Sequence, residues 1–412
     1  MEAAPQVVLP SDTDSRERTA RRVIAGIRGL LCEHRSAGGR SVTRSRDPAG
    51  SSGIPRIWSF LRSRAIHFAM LAAVITEQGP DVAANVRLVD DWPEPVAGPG
   101  EVVIRTEASA LNHLDLWVGR GLPGLNLEYP RVSGSDGAGI VDSVGDGVDA
   151  SWIGQRVVLN AAKPVPDPLR PDVDPAPHDI SMIGEHEPGA MAAQFVAPVA
   201  NVVPIGDADP VEAAAFALTH LTAWRMLVTR ARLQAGQTVL ITGIGGGVAL
   251  AALNIARHFG CRVIVTSRHQ EKLERAQELG ASYAVLDTGA DWSREVRGAT
   301  GRRGVDICVD SVGKALHLSG IKALARGGTY VTCGCTTGPD ATTDLARVFW
   351  NQLSILGSTM GDMDEFRSVI ALFRSGAMRP VIDTVYAPSD AAAAYARLES
   401  GAQFGKLVVR WT

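Results

Sequence analysis

Four glycines fall within five residues of the stretch ITGIGGGVALAAL, Ile241 to Leu253. Inside a helix a glycine costs roughly 1 kcal/mol against alanine, so such a cluster marks a place where bare backbone is needed. TVLITG before it reads as a buried strand, and VALAALNIARHFG after it as a helix that stops at Gly260. A glycine turn between strand and helix in a βαβ unit is the pattern of a dinucleotide site. Gly243 permits the tight turn, and Gly245, Gly246 and Gly247 let phosphate oxygens approach the backbone. The N–H groups and dipole of the helix opening near Val248 then hold the pyrophosphate. Ala249 takes the place of the pattern's third glycine and is small enough for close helix–strand packing. The plainer alternative is a glycine-rich turn with no ligand.

The end of the second strand distinguishes the coenzymes. An NAD site places Asp or Glu there for the ribose 2′-hydroxyl. Here VIVTSRHQEKLE puts Ser267 and Arg268 at that spot and Lys272 one turn later, while Glu271 comes late, on the helix. A guanidinium suits a 2′-phosphate, so the expected coenzyme is NADP(H). Further apolar strands, VDICVDSVG, GGTYVTCG and SILGSTM, alternate with helices and predict an α/β doubly wound parallel sheet covered on both faces. Val312, Gly334 and Thr336 lie at carboxyl ends of these strands, where a dinucleotide is held.

Upstream, EVVIRTEASAL alternates as strand, and GIVDSVGDGV and GQRVVLN are short strands broken by Gly and Asp turns. They predict a compact β-rich unit, to which the closing FGKLVVRWT returns by its alternation. Lys163 to Asp179 reads as a proline-rich, structureless loop. Residues 1–69 differ from the rest, with twelve Arg, no Lys and six acidic residues. Val23, Ile24, Ile27, Leu30 and Leu31 share one helical face there, as in a targeting or membrane-surface helix. The simpler expectation is an extraneous leader with Met70 as the natural start.

Over 412 residues the formal net charge is −3, which does not point to nucleic acid. The longest apolar stretch, Ala65 to Ile75, is too short for a bilayer. Five cysteines form no disulfide framework, so a cytoplasmic location is expected.

The stretches GPGEVVIRTEASALNHLDLWVGRG, VSGSDGAGIVDSVG, WIGQRVVLN, LTAWRML, GVDICVDSVG, ALARGGTYVTCG, SILGSTMG and FGKLVV, in this order around the glycine turn, resemble the medium-chain dehydrogenase/reductase superfamily. NHLDLW and GIGGGVA are most similar to its quinone-oxidoreductase-like and zinc-type alcohol dehydrogenase-like members. The resemblance implies a GroES-like catalytic domain in two parts, 70–204 and 357–412, around a Rossmann NADP(H)-binding domain, 205–356. It implies a small-molecule substrate in the cleft and a homodimer joined through the edge strand near SILGSTM. It places Thr222 beside the nicotinamide and Lys406 near the adenosine phosphate.

Zinc-dependent members carry catalytic ligands where this chain has Asn112, Ser135 and Leu218, and no metal is therefore expected. His113, Asp136, His186 and His220 are the residues from which an unusual zinc site would have to be built. Without zinc the easier chemistry is hydride addition to a quinone or an α,β-unsaturated ketone, where hydrogen-bond donors hold the enolate. The resemblance points to Asn112 and Asp115 as lining the site. Asn112 has an amide N–H to give to the enolate oxygen. Asp115 either orders Asn112 or a water, or serves as a cap. His113 is a proton donor or a packing residue, and Tyr129 is a further phenol. A coenzyme-binding protein without turnover is the rival from outside enzymology.

Overall fold

The computed structural model describes residues 69–122, 124–166, 169 and 179–412. The expectations for the leader, residues 1–69, therefore fall outside the described residues, apart from Ala69 itself.

The amino-terminal part is built on antiparallel strands. At its centre Glu101–Ala110 pairs with Gly137–Val144 on one side. On the other side it meets Gln194–Pro198 along its first half and Lys406–Arg410 along its last three residues. Alternation sends Val102, Ile104, Ala108 and Ala110 into the core. The carboxyl-terminal segment thus joins this sheet, and Trp411 Nε1 secures it by donating to Ser109 Oγ at 2.9 Å. Helix α1 (His113–Arg120) follows directly from the central strand.

Helix α2 (Pro210–Trp224) starts on a cap: Asp209 accepts from the Val211 N–H at 2.8 Å, and Pro210 fills the first turn. Eleven of its residues are buried, because it is covered on several faces. A π-helical turn, Arg225–Arg230, extends it.

The second part is a six-stranded parallel sheet. Its strands are β1 (Thr238–Ile241), β2 (Arg262–Ser267), β3 (Tyr283–Leu286), β4 (Val305–Asp310), β5 (Leu324–Thr332) and β6 (Ser354–Gly357), in the order β3-β2-β1-β4-β5-β6. This is the doubly wound arrangement with its switch point between β1 and β4. Val239, Leu240 and Ile241 are buried on both faces, which explains the unbroken apolar run. Helix α3 (Gly247–His258) leaves the glycine turn, and α4 (Gln270–Glu278) follows β2. One apolar core runs from Ile104 through Phe216 and Leu221 to Val239 and Val263.

The proline-rich segment departs from the expectation of an unstructured loop at its start, where Lys163 and Pro164 belong to a strand. Ala162–Pro164 and Ile180–Met182 pair as a small antiparallel sheet, and this satisfies backbone groups that burial would otherwise strand. Among the described residues no helix is long and apolar enough to cross a membrane.

Candidate functional site

The amino end of α1 builds the densest polar cluster. Asp115 and Asn112 form a capping box: the Asp115 carboxylate accepts from the Asn112 backbone N–H at 2.7 Å. Its other oxygen accepts from the Gly134 N–H at 2.8 Å. Asp115 thereby ties α1 to the segment ahead of Gly137–Val144. Of the two roles expected for it, the geometry gives it the cap, through which it also fixes the backbone of Asn112. Burial pushes its carboxyl above the usual range, against the amides of Asn112 and Gly134, the Ser133 hydroxyl and the charge of Lys406. Ser133 in turn pairs with the buried phenol of Tyr395 at 2.5 Å.

The side chain of Asn112 faces two charged groups. Its Oδ1 accepts from Lys406 Nζ at 2.6 Å, and its Nδ2 donates to Asp136 Oδ2 at 2.8 Å. The same Asp136 oxygen takes a second hydrogen bond from Lys406, at 2.9 Å, while Oδ1 accepts from the Leu218 N–H at 2.9 Å. Lys406 and Asp136 are 4% and 0% exposed, so this is an ion pair removed from water and completed by hydrogen bonds. The second Asn112 amide hydrogen has only a long contact, 3.5 Å, to the Ala110 carbonyl.

The glycine turn sits where the sequence put it. Gly243 (φ +62°) and Gly245 (φ +127°) adopt backbone angles that side chains rarely take. Gly246 caps α3, and a Cβ there would meet nothing within 4 Å, so open space lies before the helix amides that would hold a pyrophosphate. Val312 backs the turn, its Cγ2 lying 2.8 Å from where a Gly243 Cβ would sit. The residues present thus fit a bound dinucleotide. Arg268 is exposed at the end of β2, beside the buried Ser267, whose hydroxyl accepts from the His269 N–H.

Two lysines named for the coenzyme site make contacts within the protein. Lys272 lays its stem against Gly245 and donates from Nζ to the Gly401 carbonyl at 2.6 Å. A buried ammonium needs such an acceptor, and burial lowers its pKa. Lys406, expected at the adenosine phosphate, is instead carried by the carboxyl-terminal strand beneath Asn112, and only its stem passes near Gly247. The segment between them is pinned by the Gly405 N–H, which donates to the Gly245 carbonyl at 2.9 Å.

Thr222 is buried, with its hydroxyl 3.7 Å from Met360 Sδ. Gly334 and Thr336 follow β5, and the Thr336 hydroxyl donates to the Val312 carbonyl at 3.4 Å. His113 packs edge-on against Trp117, and burial, with Arg120 nearby, lowers its pKa. Tyr129 donates to the Val118 carbonyl, which commits the phenol to the α1 backbone. His220 stacks on Phe216 at 3.7 Å and faces the Phe216 carbonyl with Nδ1 at 3.0 Å. Together with Thr219, Gly247, Arg379 and Lys406 it lines a small cavity between α2 and α3. Ser133, Tyr395 and the pairing of Asp136 with Lys406 escaped the sequence reading. They come together across 270 residues or so of chain, and no local spacing announces them.

The positions matched to zinc ligands by the resemblance offer no zinc donor set in this arrangement: Leu218 contributes no donor side chain, Asn112 Oδ1 and Asp136 Oδ2 accept from the Lys406 ammonium, and Asp136 Oδ1 accepts from the Leu218 N–H. Among the described residues no three His, Cys, Asp or Glu side chains gather as a metal site.

Two family models match: an alcohol dehydrogenase GroES-like domain over residues 98–207 and a zinc-binding dehydrogenase domain over 247–375. The chain is 32% identical over 339 residues to the zinc-type alcohol dehydrogenase-like protein YogA of Leptosphaeria maculans, covering 77% of this chain and 92% of that one. It is 26% identical to a quinone oxidoreductase of Rattus norvegicus, covering 80% and 94%. Among solved structures, an NAD-dependent alcohol dehydrogenase superposes with a TM-score of 0.77 at 38% identity, covering 83% of this chain and all of that one.

Proposed function

The chain belongs to the medium-chain dehydrogenase/reductase family, and from that premise we propose that it is an oxidoreductase that uses NADPH to reduce a small quinone, enone or related activated carbonyl compound without a catalytic zinc. The observation that supports this reading is the knot of Asn112, Asp136 and Lys406, a fixed amide and a fixed cation gathered at Asn112, one of the positions where the resemblance to zinc-dependent members expects a ligand.

Bound NADPH supplies the hydride. Hydride arriving at the β-carbon of an enone would shift the C=C pair into a new double bond to the carbonyl carbon and the C=O pair onto oxygen, and solvent or a side chain would then supply the proton. The second N–H of Asn112, held only by its long contact to the Ala110 carbonyl, is the donor offered to the oxygen on which that charge collects. A donor already aimed before the reaction stabilises charge without reorganising. Asp115 keeps Asn112 at the head of α1, and Lys406 with Asp136 keeps its carboxamide from turning. At the end of β2, Arg268 is exposed and offers its planar fork to the 2′-phosphate.

The test is NADPH oxidation by the purified protein against quinones, enones and simple aldehydes, with and without a chelator. Turnover of quinones or enones that the chelator leaves unchanged is expected. Activity confined to aldehydes and abolished by the chelator, or NADPH binding with no oxidation across the panel, would overturn the proposal.

A further inference from the structure

Lys406 has a role in the cluster that the coenzyme does not explain. Resting on the reductase reading above, we propose that Lys406 is a positioning residue for the proposed reaction: its ammonium holds the Asn112 carboxamide in one orientation and polarises it, so that the second N–H is presented to the substrate oxygen.

A carboxamide has two ends of nearly equal size and can turn over between them. Here the turn is forbidden by chemistry on both sides. Lys406 Nζ has only hydrogens to give, so the group facing it at 2.6 Å must be the Asn112 oxygen. Asp136 Oδ2 has only lone pairs, so the group facing it at 2.8 Å must be the nitrogen. With oxygen and nitrogen both assigned by charged neighbours, the remaining N–H has one direction, and its own contact to the Ala110 carbonyl is long at 3.5 Å. A positive charge on the carbonyl side also draws electron density from the amide nitrogen and strengthens its hydrogens as donors, as chained hydrogen bonds do in a low dielectric. Lys406 itself has two of its three donors committed to Asn112 and Asp136 and is 4% exposed. It therefore acts on the substrate through Asn112.

The experiment compares wild type with Lys406→Met and Lys406→Met/Asp136→Asn. The double variant avoids leaving Asp136 as an unpaired buried carboxylate, so a folding failure in the single variant does not end the test. For each protein, kcat, KM for the quinone or enone, and NADPH affinity by fluorescence titration are measured. A fall in kcat of about 100-fold, the range lost when one aimed donor is removed, is expected, with NADPH affinity unchanged within about twofold. Weakened NADPH binding with kcat intact would overturn the proposal and return Lys406 to the coenzyme phosphate. A second readout does not need turnover: the melting temperatures of Lys406→Met, Asn112→Ala and the pair are compared in the Asp136→Asn background. Non-additive losses are expected, since both changes break one contact, and additive losses would refute the positioning role. A wild-type protein that binds NADPH but turns over nothing sinks the reductase reading, while this cycle still decides whether Lys406 orients Asn112.

Discussion

Substituting His220 by Phe should remove a specific part of the protein's acid sensitivity. The imidazole is 3% exposed, stacked on Phe216, and flanked by the charge of Lys406. Burial pushes its pKa from 6.5 down to about 3, only partly opposed by the hydrogen bond to the Phe216 carbonyl. Because the folded value lies below the unfolded one, stability is complete above pH 6.5. It is lost as pH falls toward 3, where the unfolded chain takes up a proton that the folded one refuses. At pH 5 the unfolded imidazole is almost fully charged, and the loss relative to pH 8 is about 2 kcal/mol. That figure is insensitive to the folded value as long as it stays well under 5. For a folded unit of this size it corresponds to a melting shift of about 3 °C. Phenylalanine retains the stack on Phe216 and removes the titration. Urea melts of wild type and His220→Phe at pH 8 and pH 5 isolate this contribution, because every other titrating group is common to both. The wild type should lose about 2 kcal/mol more than the variant between the two pH values. Equal losses would show that His220 is protonated in the folded protein and would refute the reasoning.

Two further outcomes follow from the coenzyme site and the sheet edge. Arg268→Ala should weaken NADPH about 10- to 100-fold, the worth of a charge-assisted contact, and leave NADH nearly unchanged. Lys272→Ala, whose ammonium holds the Gly401 carbonyl, should weaken both coenzymes alike; titration calorimetry with each separates the two patterns. Strand β6 is an unpaired sheet edge with Ile355 42% exposed, and the helix before it exposes Phe349 and Trp350. The chain should therefore sediment as a dimer, and Ile355→Lys as a monomer; identical sedimentation of the two would refute pairing through this edge.

How far the sequence foretold all this depended on the range over which each signal acts. The parallel sheet and the glycine turn were legible because their determinants are contiguous: Val239–Ile241 is an unbroken apolar run, and Gly243 and Gly245 need angles that only glycine takes cheaply. Asn112 and Asp115 were named through the resemblance carried by NHLDLW, and the structure joins them in a local capping box. Arg268 was named from its place after β2, and the structure leaves it exposed there. The partners of Lys272 and Lys406 were not legible, for a shared reason. A long side chain that becomes buried takes whichever acceptor the fold delivers, and Gly401 and Asp136 are delivered by distant chain. Tyr395 could not be foreseen beside Ser133, since nothing near either residue records the approach of the helix that carries it.

The late arrival of the strand Lys406–Arg410 has a consequence for biosynthesis. The stretch Ala108–Ala110 waits for its partner on that side, and Asn112 waits for an ammonium 294 residues further along. At typical translation rates of about 5–20 residues per second, that interval is about 15–60 s. Throughout it the nascent chain exposes an open sheet edge and an unneutralised Asp136. A chain released before Lys406 is made can therefore form the parallel sheet yet is barred from closing the antiparallel one, a species suited to chaperone capture rather than chemistry.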